Sequence, residues 1–165
     1  MGTLPAGQDT RTKRCEEGHM TPEERRQALR RLSDELWNNG NTALCDDMYA
    51  EHCSLHDPTF PAEGVEGLKN QVRDLRRAQP DLHMNVDDVL VDGDRSCVRW
   101  TCGGTARNEF RGLPATGKTY VMTGMSVQKW DGDRIAEEWV NYDMLGTLQQ
   151  LGIIPEMAAP QQPTA

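Results

Sequence analysis

The sequence predicts an α+β fold, in which N-terminal helices pack on one face of a strongly curved antiparallel or mixed sheet. Apolar residues recur at helical spacing in the first half of the chain, and from Leu82 onward they recur at every second residue. Two Asp-Gly-Asp turns, at 92–94 and 131–133, divide the second half into hairpins. Helices followed by an antiparallel meander are typical of the α+β class.

The first helix is predicted to begin after Thr21. The segment Thr21-Pro22-Glu23-Glu24 combines a capping threonine, a proline at the first helical position and a glutamate at the third. Its leucines keep helical spacing until Asn38-Asn39-Gly40 ends it. Four arginines on this helix are interpreted as a solvated face: Arg25, Arg26, Arg30 and Arg31.

The next elements are shorter. A helix is expected over 42–49 and a strand over 53–57, which Pro58 ends. Gly64 opens a third helix, whose apolar residues keep helical spacing up to Pro80. The remaining segments read as strands over 82–91, 95–105, 108–113, 119–130 and 134–143, followed by a short helix or turn over 144–151.

The length, net charge and apolar content of the chain limit its possible functions. The 165 residues suit one domain, predicted over 21–154, with a disordered lead-in over 1–20 and a flexible tail over 155–165. A net charge of −8 argues against nucleic acid and against an anionic membrane surface as partners. No apolar run approaches the roughly 20 residues that span a bilayer, and we expect a cytoplasmic protein.

The cysteines and histidines show no metal-binding spacing, so no metal is predicted. The five cysteines are odd in number and form no Cys-x-x-Cys pair. We therefore predict reduced thiols that are buried as small apolar side chains.

The last predicted strand carries the candidate chemistry. Side chains alternate along a strand, so one face holds Ile135, Glu137, Trp139, Asn141 and Asp143. The other face holds Ala136, Glu138, Val140 and Tyr142. The first face places two carboxyls, an amide and an indole together. It is a candidate acid/base site if it lines a pocket, and a solvated edge if it faces water.

Five segments, taken in order, resemble the SnoaL-like polyketide cyclases of the NTF2-like superfamily. They are His56-Asp57-Pro58, Gly64–Gly67, Gly112–Lys118, Gly132–Trp139 with Asp143, and Gln149–Gly152. The resemblance covers about residues 22–154. It implies a cone-shaped fold around a pocket and the closure of a ring in a small hydrophobic polyketide, as in antibiotic biosynthesis. It also implies an intramolecular aldol reaction without cofactor or metal, an isomerase or lyase class, and a homodimer.

The resemblance also implies roles for single residues. Asp143 matches the family's general acid/base, which follows a glutamate-x-tryptophan step, so its face is expected to point into the cavity. Glu137 is a second catalytic candidate, or a buried glutamate paired with an arginine such as Arg99. Arg99 could also bind a substrate carbonyl. His56, Trp139 and Asn141 are expected to line the pocket, although a structural role for His56 is equally compatible with the sequence.

The sequence is compatible with several reactions. One buried carboxyl can serve an aldol closure as base and then as acid, because burial lifts its pKa toward neutrality. Epoxide opening needs two groups, for which Glu137 and Asp143 could serve, and residues 126–130 contain no histidine where the cyclases use one. A cone that only folds its substrate for ring closure is a third possibility. A non-catalytic binding or dimerisation module is the alternative from another class.

Overall fold

The computed structural model describes residues 19–155. The predictions for residues 1–18 and 156–165 lie outside the described residues. Four α-helices and six strands follow one another: α1 (Pro22–Arg31), α2 (Leu44–Met48), β1 (Tyr49–His56), β2 (Ala62–Glu63), α3 (Gly64–Ala78), β3 (His83–Asp92), β4 (Arg95–Thr105), β5 (Thr119–Asp131), β6 (Arg134–Tyr142) and α4 (Met144–Gln150).

The start of α1 has the predicted capping box. The Thr21 hydroxyl accepts a hydrogen bond from the Glu24 amide, and the Glu24 carboxylate accepts one from the Thr21 amide. Helix α1 continues into a wider π-helical segment, Leu32–Asn38, which ends at Asn39. The capping signal and the asparagine-glycine stop therefore set the two ends of this helical arm.

The six strands form one open, curved sheet in the order β2-β1-β6-β5-β4-β3. Strands β3 to β6 are antiparallel neighbours, whereas β1 lies parallel to β6. The predicted strand over 108–113 is wrong. This segment makes a single bridge between Phe110 and Leu113 across a tight turn, in which Arg111 has a positive φ of 46°.

A β-bulge interrupts the alternation of β6. Lys129 pairs with Glu137, but the next residue of β5, Trp130, pairs with Ile135, so β6 contains one extra residue. The extra residue turns the fully buried Ile135 to the face that carries Glu138. The predicted grouping of Ile135 with Glu137 on one face is therefore wrong, although the alternation from Glu137 to the end of β6 at Tyr142 is retained.

The core lies between the helices and one face of the sheet, which we call the inner face. The helical arm contributes Leu29, Leu32 and Leu36, and α3 contributes Leu68 and Val72. These side chains are at most 4% exposed. Helices therefore cover the inner face of the curved sheet, while the outer face of β3 to β6 carries no helix among the described elements. The predicted α+β architecture is confirmed.

Candidate active site

A cavity of about 150 Å³ lies between the helices and the inner face of the sheet. An apolar cavity of this size accommodates at least one aromatic ring. Most of its wall is apolar or aromatic, and it includes Leu55, Leu75, Val98, Trp100, Met122 and Val140. Such a wall favours an apolar ligand and leaves the few polar groups to orient it.

Glu138 is the carboxyl of β6 that faces this cavity. Its Oε2 accepts a hydrogen bond from the Tyr49 hydroxyl at 2.8 Å, and its Oε1 accepts one from Gln128 Nε2 at 2.9 Å. Tyr49 lies on β1 and Gln128 on β5, so the two strands that flank β6 each supply one donor. The two bonds hold the carboxyl in one orientation at the cavity wall.

A chain of hydrogen bonds fixes Gln128 in turn. Gln128 Oε1 accepts from the Ser96 hydroxyl at 2.7 Å, and Ser96 Oγ accepts from Trp130 Nε1 at 2.9 Å. Gln128, Ser96 and Trp130 are all at most 3% exposed. Because Gln128 Oε1 has its own donor, the amide nitrogen is the group that points at Glu138.

Burial raises the pKa of Glu138 above its usual value, because enclosure in the protein disfavours the charged carboxylate. The hydrogen bonds from Gln128 and Tyr49 oppose this effect, since they stabilise the carboxylate. The pKa of Tyr49 itself is raised by burial and by the adjacent carboxyl, which keeps the phenol a donor. A carboxyl with a raised pKa is a stronger base than an ordinary carboxylate, which favours a role in proton transfer.

A second polar pair, Asp57 and Tyr142, lines the same cavity. The Tyr142 hydroxyl donates to Asp57 Oδ1 at 2.7 Å, and the backbone amides of Thr59 and Phe60 donate to the same oxygen at 2.8 Å. Burial raises the pKa of Tyr142. The cavity therefore contains two carboxyls, each held by a tyrosine hydroxyl.

The comparisons with known proteins agree with this geometry. The family model described as SnoaL-like polyketide cyclase matches residues 27–151. The chain belongs to the SnoaL-like polyketide cyclase family. The match covers both carboxyls of the cavity. A comparison with curated proteins finds no significant match.

Solved structures similar to this family member come from several bacteria. TsrD from Streptomyces laurentii has a TM-score of 0.75 and 23% identity, over 82% of this chain and 99% of that one. A candidate polyketide cyclase from Acidithiobacillus ferrooxidans has a TM-score of 0.68 and 32% identity, over 81% and 96% of the two chains. IdmH from Streptomyces antibioticus, also a candidate polyketide cyclase, has a TM-score of 0.66 and 26% identity, over 81% and 99%.

The cavity of this SnoaL-like chain carries acidic but not basic groups. Among the described residues, those that line it include the carboxyls of Asp57 and Glu138 and no lysine, arginine or histidine. An anionic ligand would lose its hydration in this cavity without gaining a cation as partner. The lining therefore suits a ligand without negative charge.

The face predicted to point into the cavity points away from it. Glu137 and Trp139 lie on the outer face of the sheet, where the His56 ring stacks on Trp139 with ring centres 5.1 Å apart. Glu137 Oε1 accepts a hydrogen bond from Lys129 at 2.9 Å, and its Oε2 lies 3.5 Å from His56 Nε2. The hydrogen bond from Lys129 and the charge of that ammonium lower the pKa of Glu137, with a smaller contribution from His56. These residues form a partly exposed cluster outside the cavity wall, and the prediction that they line the pocket is wrong.

The other predicted site residues also lie outside the cavity wall. Arg99 is on the outer face and pairs with Asp87 at 2.9 Å, rather than with Glu137. Asn141 is exposed. Asp143 is exposed as well, and it caps α4, since its Oδ1 accepts a hydrogen bond from the Gly146 amide at 2.8 Å. The structure thus brings His56, Glu137 and Trp139 together, but not around the pocket.

Glu138 is the residue that the sequence reasoning placed on the wrong side. Alternation divided β6 into two faces but did not say which one is covered by helices. One signal was present: beyond the adjacent glutamates, the Glu138 face continues with Val140 and Tyr142, whereas the other face ends in Asn141 and Asp143. The more apolar end of a strand is the one that packs against a core.

The cysteines are mostly buried thiols. Cys45, Cys53 and Cys102 are buried, and burial raises the pKa of each thiol. Cys97 is half-exposed on the sheet, and Cys15 lies outside the described residues. Within residues 19–155, three or more potential metal ligands do not come together, and no helix is long and apolar enough to cross a membrane.

Proposed function

We propose that this protein is a cofactor-independent cyclase that closes a ring in a polyketide-type natural product, with Glu138 as its general acid/base. The observation that carries the proposal is the carboxyl of Glu138, which has a raised pKa and is oriented by two donors in the wall of an apolar cavity. Family membership supports the reaction class. A purely structural cone would have no need for an oriented carboxyl beside an open cavity.

In the proposed aldol closure, one carboxyl acts first as the base and then as the acid. Glu138, as the carboxylate, removes a proton from a carbon next to a carbonyl, and the carbonyl oxygen takes the resulting negative charge as an enolate. The enolate carbon attacks a second carbonyl of the same molecule and forms the new carbon–carbon bond. The proton held by Glu138 then passes to the alkoxide that results. Positioning by the cavity can contribute roughly 7 to 11 kcal/mol to such an intramolecular step.

Two adjacent glutamates give a matched experiment. The substrate is identified as the metabolite that accumulates when the gene is deleted, and purified variants are then assayed on it. Glu138→Gln should lower kcat by about 10²- to 10⁴-fold, the usual contribution of a general acid/base. Glu137→Gln, on the outer face, should leave kcat within about twofold of the wild type.

The same assay decides the roles predicted from the sequence. Catalysis by Asp143 and Glu137 stays a prediction. Asp143→Asn keeps an oxygen that can cap α4, so this variant tests chemistry with little effect on the fold. Undiminished turnover by Glu138→Gln, together with a large loss in Asp143→Asn, would favour Asp143 as the acid/base and overturn the proposal.

Epoxide opening is a second candidate, because the cavity holds two carboxyls. One group must protonate the epoxide oxygen while another activates the nucleophile. The pair of Asp57 and Tyr142 could supply the second group. Asp57→Asn should slow an epoxide-opening reaction by at least about tenfold, whereas an aldol closure that uses Glu138 alone should keep its rate.

The outer face supports a homodimer, which we infer as the assembly of this protein. A row of facing residues crosses five neighbouring strands: Leu90, Cys97, Val127, Trp139 and His56. Leu90 is 64% exposed, and Met125, close to this row, is 54% exposed. Charges of both signs flank the row, as in the pairs of Lys129 with Glu137 and Arg99 with Asp87. A second copy related by a two-fold axis would cover the apolar row and place opposite charges against each other.

The free, buried thiols support a cytoplasmic location, where cysteines stay reduced.

A further inference from the structure

Gln71 is a buried amide in the cavity wall whose oxygen has no hydrogen-bond partner. It lies on α3, among the buried residues Leu68 and Val72, and its side chain is 6% exposed. Its Oε1 finds no donor among the described residues, and the residue lines the same cavity as Glu138. A buried polar atom without a partner destabilises a fold, so a helix that packs against a core would be more stable with an apolar residue here.

Gln79 is a second buried glutamine in the cavity wall, and unlike Gln71 it has a donor for its side-chain oxygen. Gln79 ends the same helix, lines the same cavity and is 8% exposed. Its Oε1, however, accepts a hydrogen bond from the buried Tyr120 hydroxyl. One of the two cavity glutamines is thus part of the protein's own hydrogen-bond network, while the side-chain oxygen of the other is buried without a donor among the described residues.

Gln71 is also separate from the acid/base centre. The hydrogen bonds that orient Glu138 come from Tyr49 on β1 and Gln128 on β5, both in the sheet. Gln71 belongs to the helical layer on the other side of the cavity. A molecule held between these layers therefore meets the carboxyl from the sheet and the carboxamide from the helix.

We propose that Gln71 is a specificity-determining residue that binds a hydroxyl group of the substrate. A hydroxyl both donates and accepts a hydrogen bond, so it pairs with the carboxamide in either orientation of the amide. A ketone only accepts and would leave Oε1 without a donor. A carboxylate or phosphate would face two carboxyls and no cation in this cavity.

The substrate class is therefore a neutral, apolar ring compound that carries a hydroxyl group at the end facing α3. This inference rests on the proposed function only in that the same cavity holds the substrate. It makes no use of the identity of the acid/base residue.

Binding of naphthalene, 1-naphthol and 2-naphthol tests the inference without catalysis. The wild type should bind one of the two naphthols about 5- to 10-fold more tightly than naphthalene, which corresponds to about 1 to 1.4 kcal/mol. Gln71→Met keeps the length of the side chain and removes the carboxamide. This variant should lose the preference for the hydroxyl while it binds naphthalene at least as tightly, as measured by titration calorimetry.

Gln79→Met is the matched control. It should keep the preference for the naphthol but unfold at a lower temperature than the wild type, since it leaves Tyr120 without its acceptor. Gln71→Met should unfold at the same or a higher temperature, because no internal hydrogen bond is lost. An unfolding transition in both variants shows that both are folded. A lower unfolding temperature for Gln79→Met alone shows that only Gln79 accepts a hydrogen bond within the protein.

Either of two results would overturn the inference: a wild type that binds naphthalene as tightly as both naphthols, or a Gln71→Met variant that retains the preference. Loss of turnover in Glu138→Gln with no hydroxyl preference would leave the proposed function standing and remove the role of Gln71. Full turnover in Glu138→Gln, with a hydroxyl preference that depends on Gln71, would remove the proposed acid/base role of Glu138 and leave the role of Gln71 standing.

Discussion

Arg25 holds the two hairpin turns of the sheet together, and its replacement by methionine should destabilise the fold. The side chain is 8% exposed, although the sequence places it among four arginines on a helix face predicted to be solvated. Its Nη1 donates to the Gly93 carbonyl at 2.5 Å, and its Nη2 donates to the Gly132 carbonyl at 2.9 Å. The guanidinium also lies 5.0 Å from the centre of the Trp130 ring. The prediction of a solvated face is wrong for Arg25.

The expected loss in the free energy of unfolding follows from the contacts of Arg25 that methionine keeps and those that it loses. Methionine retains the apolar stem but loses two hydrogen bonds from a charged group, each worth about 1.5 to 3 kcal/mol. It also loses a cation–π contact worth about 0.5 to 1 kcal/mol. Part of this loss is recovered, because a buried charge whose Nε has no partner among the described residues is removed. We expect a net loss of about 2 to 4 kcal/mol in the free energy of unfolding.

Urea denaturation followed by circular dichroism at 222 nm measures this loss. The neighbouring Arg26 is the matched control, since its side chain is 39% exposed and its pairing with Glu23 is a surface ion pair. Arg26→Met should change the free energy of unfolding by less than about 0.5 kcal/mol. Equal stabilities of Arg25→Met and Arg26→Met would refute the reasoning, because they would show that the two turn carbonyls gain nothing from the buried guanidinium.

Two further predictions concern pH and assembly. The folded-state pKa of Glu138 is raised, so its contribution to stability is present below the unfolded pKa of about 4.3 and is lost as pH rises through the folded pKa. As pH rises above the unfolded pKa, the wild type should therefore lose stability relative to Glu138→Gln, by about 1.4 kcal/mol for each unit of the shift. The lowered pKa of Glu137 gives Glu137→Gln the opposite trend, and parallel curves in urea titrations would contradict both assignments. If the protein is the homodimer we infer, Val127→Glu should convert it to a monomer in sedimentation velocity, whereas Arg77→Glu on α3 should not. A wild type that sediments as a monomer of 18.5 kDa would refute the interface.

Much of the fold could be predicted from local sequence. The capping box at Thr21 fixed the start of α1, and the turns at 92–94 and 131–133 separated the strands of both hairpins. These signals act over three or four residues, so each is complete in the sequence. The segment over 108–113 was predicted less well, because its alternating residues close a tight turn at Arg111 instead of joining the sheet.

The candidate site could be predicted only in part. The sequence pointed to this strand but favoured Glu137 and Asp143 over Glu138, because the side of the sheet that each residue faces depends on where the helices pack. The bulge at Ile135 adds a residue to β6, and α3 and the helical arm cover the inner face, so Glu138 faces the cavity and Glu137 faces outward. The Tyr49 partner of Glu138 lies on β1, 89 residues away in sequence, and no local pattern specifies a contact over that separation.

The sequence by itself determined the class of fold, the order of its elements and the family, because capping, turn and periodicity signals are local and survive in any context. Only the tertiary structure decided which glutamate lines the cavity, which arginine is buried and which glutamine has a side-chain oxygen without a donor among the described residues. Neighbours such as Glu137 and Glu138, or Arg25 and Arg26, are chemically alike in the sequence. They differ in which side of their element the rest of the chain covers, and that coverage sets their solvation, their partners and, for Glu138, the upward direction of its pKa shift.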